Sequence, residues 1–547
     1  MKKMITLFIL LLCVIKVHAA DPVEQMGEKY LQEKKREQEL EQLKKKQQAF
    51  QSGPDFSVLP EDEQCFQVDS ISVAGNTLLS RGDIQNVVEK YRQHCLGKNA
   101  INQLMQELTA LYIEDGYITS RVYIPPQDLN SGRLKLMVIE GYVEGVSINN
   151  NSPEDRRKLW WAMTPSWEKH LRLPEIEQAL DQINRVRSAN AQMKLWPGQK
   201  TGATHIQIIN ETDNEIRGSI VLSNDGQEDT GRMKTRIGFE ADNLVGINDN
   251  LSVNLITSAN TNAFTINSGF PFRNWTFNFS HSYSEYLSML PENTDLFGQS
   301  NTSTLASDYM VYRSQSMRFN ITSSVTVRRS ERDILGVHLT PQKLVPIRIA
   351  ANISKNAYWG FISAEVGQVQ GSKLFGATDD VRDLPPLSPR AQFSKQDLRI
   401  TLGIPVTQGL TYQMAAAGQY TDDPLYSSEQ ITIGDQSTVR GSDTTIASGD
   451  RGFYTQSSIG LSGRRLAQLF NSTHRWLNGI NLRFFTDFGH VRALSKDKPE
   501  SAMAAGSGLS FRYKQLSMDM SWSHIVQSNK EFAGQNRFLF TLGLEAF

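Results

Sequence analysis

Trp275-Thr-Phe277-Asn-Phe279-Ser-His281-Ser-Tyr283 sets a ring against a small polar side chain at every step. Successive side chains of a strand point to opposite faces, so this stretch has one bulky, largely aromatic face and one that water can wet. The same alternation returns in Leu398-Arg-Ile400-Thr-Leu402-Gly-Ile404 and in Leu516-Ser-Met518-Asp-Met520-Ser-Trp522. Strands of this kind fit lipid on one side and an aqueous interior on the other. From Asn214 to Phe547 the period stays at two. Short breaks, at Gly246–Asp249 and Phe272–Asn274, alternate with longer ones, at Pro291–Ser307 and Gly376–Arg390. Short turns on one rim and long loops on the other are the mark of an outer-membrane barrel.

Residues 213–547, at roughly 20 residues per strand plus connection, make about 16 antiparallel strands, an even number as such barrels require. A soluble β-sandwich or propeller is the alternative, but no blade-length repeat supports it.

The whole chain has 547 residues, of which 39% are apolar and 21% charged. With a mean hydropathy of -0.39 it is too polar for a bundle of membrane-spanning helices. Its net charge of -1 supplies no basic field for nucleic acid. Residues 1–20 read as a secretory leader: Lys2-Lys3, an apolar stretch from Met4 to Ile15, then small residues at Ala19-Ala20. Its removal takes Cys13 with it and leaves Cys65 and Cys95, an even pair in an oxidising compartment. One disulfide is expected, with two free thiols as the alternative. No later segment offers the run of about 18 apolar residues that a spanning helix needs. A mature membrane form must therefore be a closed barrel.

Residues 21–52 carry seven acidic and seven basic side chains up to Gln51, with few turn formers. They predict a helix, supported by pairs such as Glu33 with Arg36 and Glu41 with Lys45. Its circumference is polar nearly all round, so it belongs in water or in a wet cavity. A linker, 53–64, follows. Two small units then succeed one another, 65–142 and 143–212, each read as β-α-α-β-β and each of a size marginal for independent folding.

No HExxH, GxSxG, Walker A or GxGxxG pattern occurs, so no catalytic residue, metal site or cofactor is expected. Two clusters stand out. Thr438-Val439-Arg440-Gly441-Ser442-Asp443 lies in the longest interruption of the barrel pattern, 421–449, where a solvated arginine is the plain reading. In Phe485-Thr-Asp487-Phe-Gly489 the outward parity falls to Ile480, Leu482, Phe484 and Phe488. That turns Arg483, Phe485, Asp487 and Gly489 inward, and an inward carboxylate needs a cation or water.

With these clusters in hand, the chain resembles the two-partner-secretion outer-membrane translocators. That family includes haemolysin activators, the filamentous-haemagglutinin transporter and contact-dependent-inhibition transporters. The resemblance spans a leading helix, two POTRA units and a barrel. The family's loop motif, Val or Ile, then Arg, Gly and an aromatic, matches Val439, Arg440 and Gly441, with Ser442 in place of the aromatic. Its strand motif, Phe or Gly, x, Asp, x, Gly, matches Phe485, Asp487 and Gly489 in full.

The resemblance implies that the long loop folds into the lumen and sets Arg440 against Asp487, a fork of donors on a carboxylate. It implies a plug role for 21–52 and a partner that is one large secreted protein: a haemolysin, an adhesin or a growth-inhibition toxin. Export would proceed without ATP, with outer-membrane lipid and the barrel-assembly machinery as further partners. Phe538, Phe540, Leu542 and Leu544 share a face and the chain ends at Phe547, as barrels read by that machinery do. The rival function is a barrel-assembly factor, which usually carries more POTRA units and no leading helix; a passive porin or an outer-membrane lipase would have other parts.

Overall fold

A computed structural model describes residues 64–164, 169–228, 231–290, 294–469, 474–528 and 532–546. The leader, the polar helix of 21–52, nearly all of the linker and Phe547 lie outside the described residues.

The first unit opens with β1 (Cys65–Val68) and β2 (Ser70–Ala74), continues through α1 (Arg81–Val88), β3 (His94–Gly97) and α2 (Lys98–Glu114), and closes with β4 (Arg121–Tyr123) and β5 (Arg133–Ile139). This corrects the expected β-α-α-β-β order. Phe66–Val73 is two strands, and β3 pairs with β1 as a separate antiparallel ribbon. A Cys65–Cys95 disulfide with a Cα–Cα distance of 5.3 Å bridges that ribbon. The strand expected over Ile118–Ile124 shrinks to three residues, because Pro125-Pro126 supplies no backbone donors to lengthen it. α1 starts where Ser80 accepts a hydrogen bond from the Asp83 amide at 3.1 Å, a side-chain cap. α2 sends Leu104, Leu108 and Tyr112 against Leu134 and Leu136 of β5 and against Tyr91 and Leu96. Each such Leu contributes about 2 kcal/mol by leaving water.

The second unit comprises β6 (Tyr142–Ile148), α3 (Pro153–Ala162), α4 (Leu173–Ile183), β7 (Ala189–Pro197) and β8 (Ala203–Thr212). Ser152 and Asp155 cap α3 reciprocally and Pro153 occupies its first turn, where no amide is missed. Its sheet runs β6-β8-β7, with β6 and β8 parallel. Ile148, Ile176, Ile183, Ile206 and Ile208 fill the core.

A closed antiparallel barrel of sixteen long strands follows, from β9 (Ile216–Ser223) to the last strand, Asn536–Ala546. Pro291–Ser307, read as a long loop, is instead mostly strand: Thr294–Arg313 runs for twenty residues beside Trp275–Leu290. A crossing needs about 10 residues, so this hairpin extends past the bilayer. There both faces meet water, and the apolar alternation that announces a strand is lost. The seam between β9 and the last strand has six register pairs, Thr541↔Ser223 to Ala546↔Gly218, whereas the long hairpin has sixteen. Asn224 extends the seam, its Nδ2 donating to Phe538 O at 3.0 Å and its Oδ1 accepting from Phe540 N at 2.7 Å. Phe538, Leu542 and Leu544 of the last strand are exposed on the outer wall.

Candidate functional site

Thr421 ends one barrel strand and Arg451 begins the next; the residues between fold inward around a small hairpin, Ile431–Ile433 with Ala447–Gly449. Ile433, Val439, Ile446 and Ala447 pack on a patch of wall built from Val491, Ala502, Ala504 and Ile525. Ala502, Ala504 and Gly489 keep that wall low where the loop lies. A Cβ on Gly489 would stand 2.6 Å from Ile433 Cγ2 and 2.8 Å from Val439 Cγ2, so glycine there admits the hairpin.

On this bed, Arg440 Nε meets Asp487 Oδ2 at 2.7 Å and its Nη2 meets Oδ1 at 2.6 Å. The Arg440 backbone N–H donates to the same Oδ2 at 3.1 Å. Asp487 is 1% exposed, so its carboxylate sits out of water beside a largely covered guanidinium, where a forked ion pair is strong and losing the arginine is costly. The Phe485 ring lies 3.6 Å from the guanidinium carbon and backs it with its π face. Gly441 adopts φ 121°, open to glycine and strained for other residues, with Ile525 Cγ1 3.0 Å from where its Cβ would be. The structure thus brings together all six residues singled out from the two motifs: Val439, Arg440 and Gly441 with Phe485, Asp487 and Gly489.

Ser442 is buried. Its carbonyl accepts from Arg537 Nη1, while Nη2 of the same guanidinium donates to Gly226 O at 2.6 Å. Next to it, Asp443 pairs with Arg232 at 2.7 Å. A hydrogen-bonded cation from the last strand therefore holds the loop tip where the family motif has an aromatic.

A second anchor lies at the loop's base. Glu429 is buried between Arg328 and Lys395, with Lys395 Nζ at 2.8 Å from its carboxylate and 2.9 Å from its own carbonyl. Asp450, also buried, accepts from Leu425 N at 2.7 Å and, through its other oxygen, from Leu494 N at 2.7 Å. The loop is pinned at its base, middle and tip to three parts of the wall.

The model for the haemolysin secretion/activation proteins ShlB, FhaC and HecB matches residues 202–513. The chain belongs to this family. A ShlB-type POTRA domain model matches 66–141 and a further POTRA model matches 142–197. The chain is 28% identical over 474 residues to the outer membrane transporter CdiB of Dickeya dadantii (strain 3937), covering 84% of this chain and 83% of that one. It is 29% identical over 494 residues to the hemolysin transporter protein ShlB of Serratia marcescens, covering 87% and 85%. The solved structure of CdiB from Escherichia coli superposes with a TM-score of 0.83 at 23% identity, covering 97% of this chain and all of that one, which establishes the shared fold. The protein is an outer-membrane translocator of two-partner secretion, with its POTRA domains in the periplasm.

The translocator's POTRA 2 is seated on the barrel rim by contacts that sequence reading missed. Arg185 Nη1 donates to Asn248 O at 3.0 Å and Gly269 O at 2.8 Å, and Gln182 Nε2 donates to Arg273 O at 2.8 Å. Arg313 reaches Glu177 at 3.2 Å and also Asp181, and Arg318 reaches Asp181 at 2.8 Å. Burial on α4 raises both carboxyls above their ordinary range, with Arg313 pulling the other way. Arg187 joins Glu240 and Glu545, each at 3.0 Å, tying the first and last parts of the barrel to the same helix end. Only the inward parity of Arg328 and Lys395 on their strands could have flagged the second anchor in the sequence.

Proposed function

We propose that the barrel exports one large partner protein of the haemolysin, adhesin or contact-dependent-inhibition toxin kind, recognised in the periplasm by the POTRA domains. The observation that carries this reading is the Arg440–Asp487 pair, which latches an inward-folded loop to the inner wall of the barrel. A passive porin has no use for such a device, and a chain can pass only after the loop shifts. The edge strand β7 leaves one side of the POTRA 2 sheet open, where an extended segment of cargo adds as a further strand through main-chain hydrogen bonds. Residues 21–52 serve as a removable plug. Energy comes from cargo folding outside, since no nucleotide is at hand in the periplasm. The outer face of the barrel takes membrane lipid, and the last strand presents Phe538, Phe540, Leu542 and Leu544 to the assembly machinery.

The test immobilises residues 54–212, cross-links them in a periplasmic extract of the host and identifies the captured chains by mass spectrometry. One very large exported protein, bound through its N-terminal region, is expected. Capture of many barrel proteins instead would mean a barrel-assembly factor. Pore conductance unchanged by deletion of 21–52 would count against the plug.

A further inference from the structure

POTRA 2 turns part of α3 away from its own core. Leu159 and Ala162 face inward with the isoleucines, whereas Trp160 is 51% exposed. Its neighbour Trp161, edge-on to Trp160 at 5.6 Å, packs on the barrel, edge-on to Phe270 at 6.0 Å and Phe272 at 5.5 Å. Those two phenylalanines have the outward parity of the strand Thr261–Phe272, since Ala263 and Thr265, of the other parity, are buried inside. Trp160 itself lies 5.8 Å from Phe272. The helix therefore hooks over the rim and adds its tryptophans to the outer, lipid-side face of the barrel.

Beside them stands a cation with no acid paired to it among the described residues. Arg273, in the two-residue turn after Phe272, lies 5.6 Å from the Trp160 ring centroid and 5.2 Å from that of Phe272. Its Nε is buried without a hydrogen-bond partner. The two acids on the same helix are already taken, Glu154 by Lys158 at 2.8 Å and Asp155 by the Ser152 cap at 2.8 Å. The neighbouring rim turn, held by Arg157 Nε on Gly246 O at 3.1 Å, leaves Leu244 and Val245 bare at 58% and 62% exposure. Indole rings at the headgroup level, aliphatic side chains below them and an unpaired arginine reaching phosphate form the pattern of a membrane interface.

We propose that α3 of POTRA 2 sits in the headgroup layer of the periplasmic leaflet, with Trp160 in the lipid interface and the Arg273 guanidinium on phospholipid phosphate. The occupant follows from continuity: this patch prolongs the barrel's own outward aromatic face, and the proposal rests on the barrel spanning the membrane. Lipid contact then adds to the ionic seat on the rim and fixes the angle at which POTRA 2 presents β7 to cargo.

The test uses the full chain in phosphatidylethanolamine–phosphatidylglycerol vesicles, with an environment-sensitive fluorophore on a single introduced cysteine. Three variants are compared: W160C, W196C on the exposed edge strand β7, and L398C on the outward wall of the barrel. Folding is checked by resistance to unfolding in detergent before heating. At 160 the label is expected to be quenched by headgroup-level spin-labelled lipid and to resist aqueous iodide several-fold better than at 196. Iodide quenching at 160 equal to that at 196, or shielding from both quenchers, overturns the proposal while a lipid-quenched label at 398 leaves the barrel's placement intact. Iodide access at 398 as well overturns both. If W160C does not fold, W160F serves: it should remove a share of the tryptophan emission that brominated lipid quenches, and an unchanged share overturns the proposal.

Discussion

Asp487 and Arg440, 47 residues apart in the chain, are joined by three hydrogen bonds, and one of them comes from the arginine's own backbone N–H. The carboxylate therefore fixes the path of the loop as well as its charge. Lysine at 440 would keep the charge and the backbone bond but lose the fork.

R440A leaves a buried carboxylate unpaired and should cost roughly 3–5 kcal/mol of local stability, as should D487A. The double variant should cost clearly less than the sum, with a coupling of about 1–3 kcal/mol. Urea unfolding of the four proteins in detergent measures the cycle. Additive costs would show that the pair does not hold the loop.

Gly489→Ala puts a methyl where Ile433 and Val439 lie and should lift the loop from the wall. Higher single-channel conductance in planar bilayers is the expected result, with partial recovery on adding Ile433→Ala, which relieves the closer of the two contacts and leaves that with Val439. Conductance unchanged by G489A would mean that the loop can move without opening the conduit.

E429A removes the acid shared by Arg328 and Lys395 and leaves two buried cations facing each other. It should destabilise the loop base by about 3 kcal/mol or more, and E429Q by less because hydrogen bonds survive. Protease susceptibility of the bonds around 422–430 in vesicles reads this directly.

Two phenols of POTRA 1 give the domain an alkaline limit. Burial, then the hydrogen bond to Glu107, pushes Tyr91 upward, and burial, then the Glu140 charge, does the same for Tyr112. Each keeps its proton in the folded state at a pH where the unfolded chain releases it. Their contribution is full below about pH 10, the ordinary tyrosine value, and is lost as pH rises through the raised folded values. Denaturation of the full chain, followed by tyrosinate absorbance, should lose stability above pH ~10. The double variant Y91F/Y112F should flatten that loss.

Reduction of Cys65–Cys95 frees the β1–β3 ribbon from a loop of about 30 residues, a constraint worth roughly 3 to 4 kcal/mol. C65S/C95S should lower the thermal midpoint of POTRA 1 by several degrees while leaving the barrel's resistance to detergent unchanged.

The barrel could be read from sequence wherever lipid and water meet opposite faces, because that asymmetry writes itself as alternation at Trp275–Tyr283 and Leu398–Ile404. It could not be read where Thr294–Arg313 rises into water on both sides. The latch was legible because its glycines, arginine and aspartate form two compact motifs. The Glu429 anchor was not: its partners Arg328 and Lys395 lie 101 and 34 residues away, on strands whose local patterns give no hint of the meeting. The β3 strand escaped because four residues carry too little periodicity, and the rim seat because arginines just past a helix and at strand ends read as solvated.

Passage of one large protein through the lumen is tested by a photo-reactive amino acid at Thr401, buried on the inner parity of its strand, against one at Leu398, 43% exposed on the outer wall. Irradiated in the host during secretion, position 401 should yield adducts with a single very large exported chain and position 398 none. Adducts of that chain at neither position, or of many barrel proteins, would mean that no such cargo crosses the lumen.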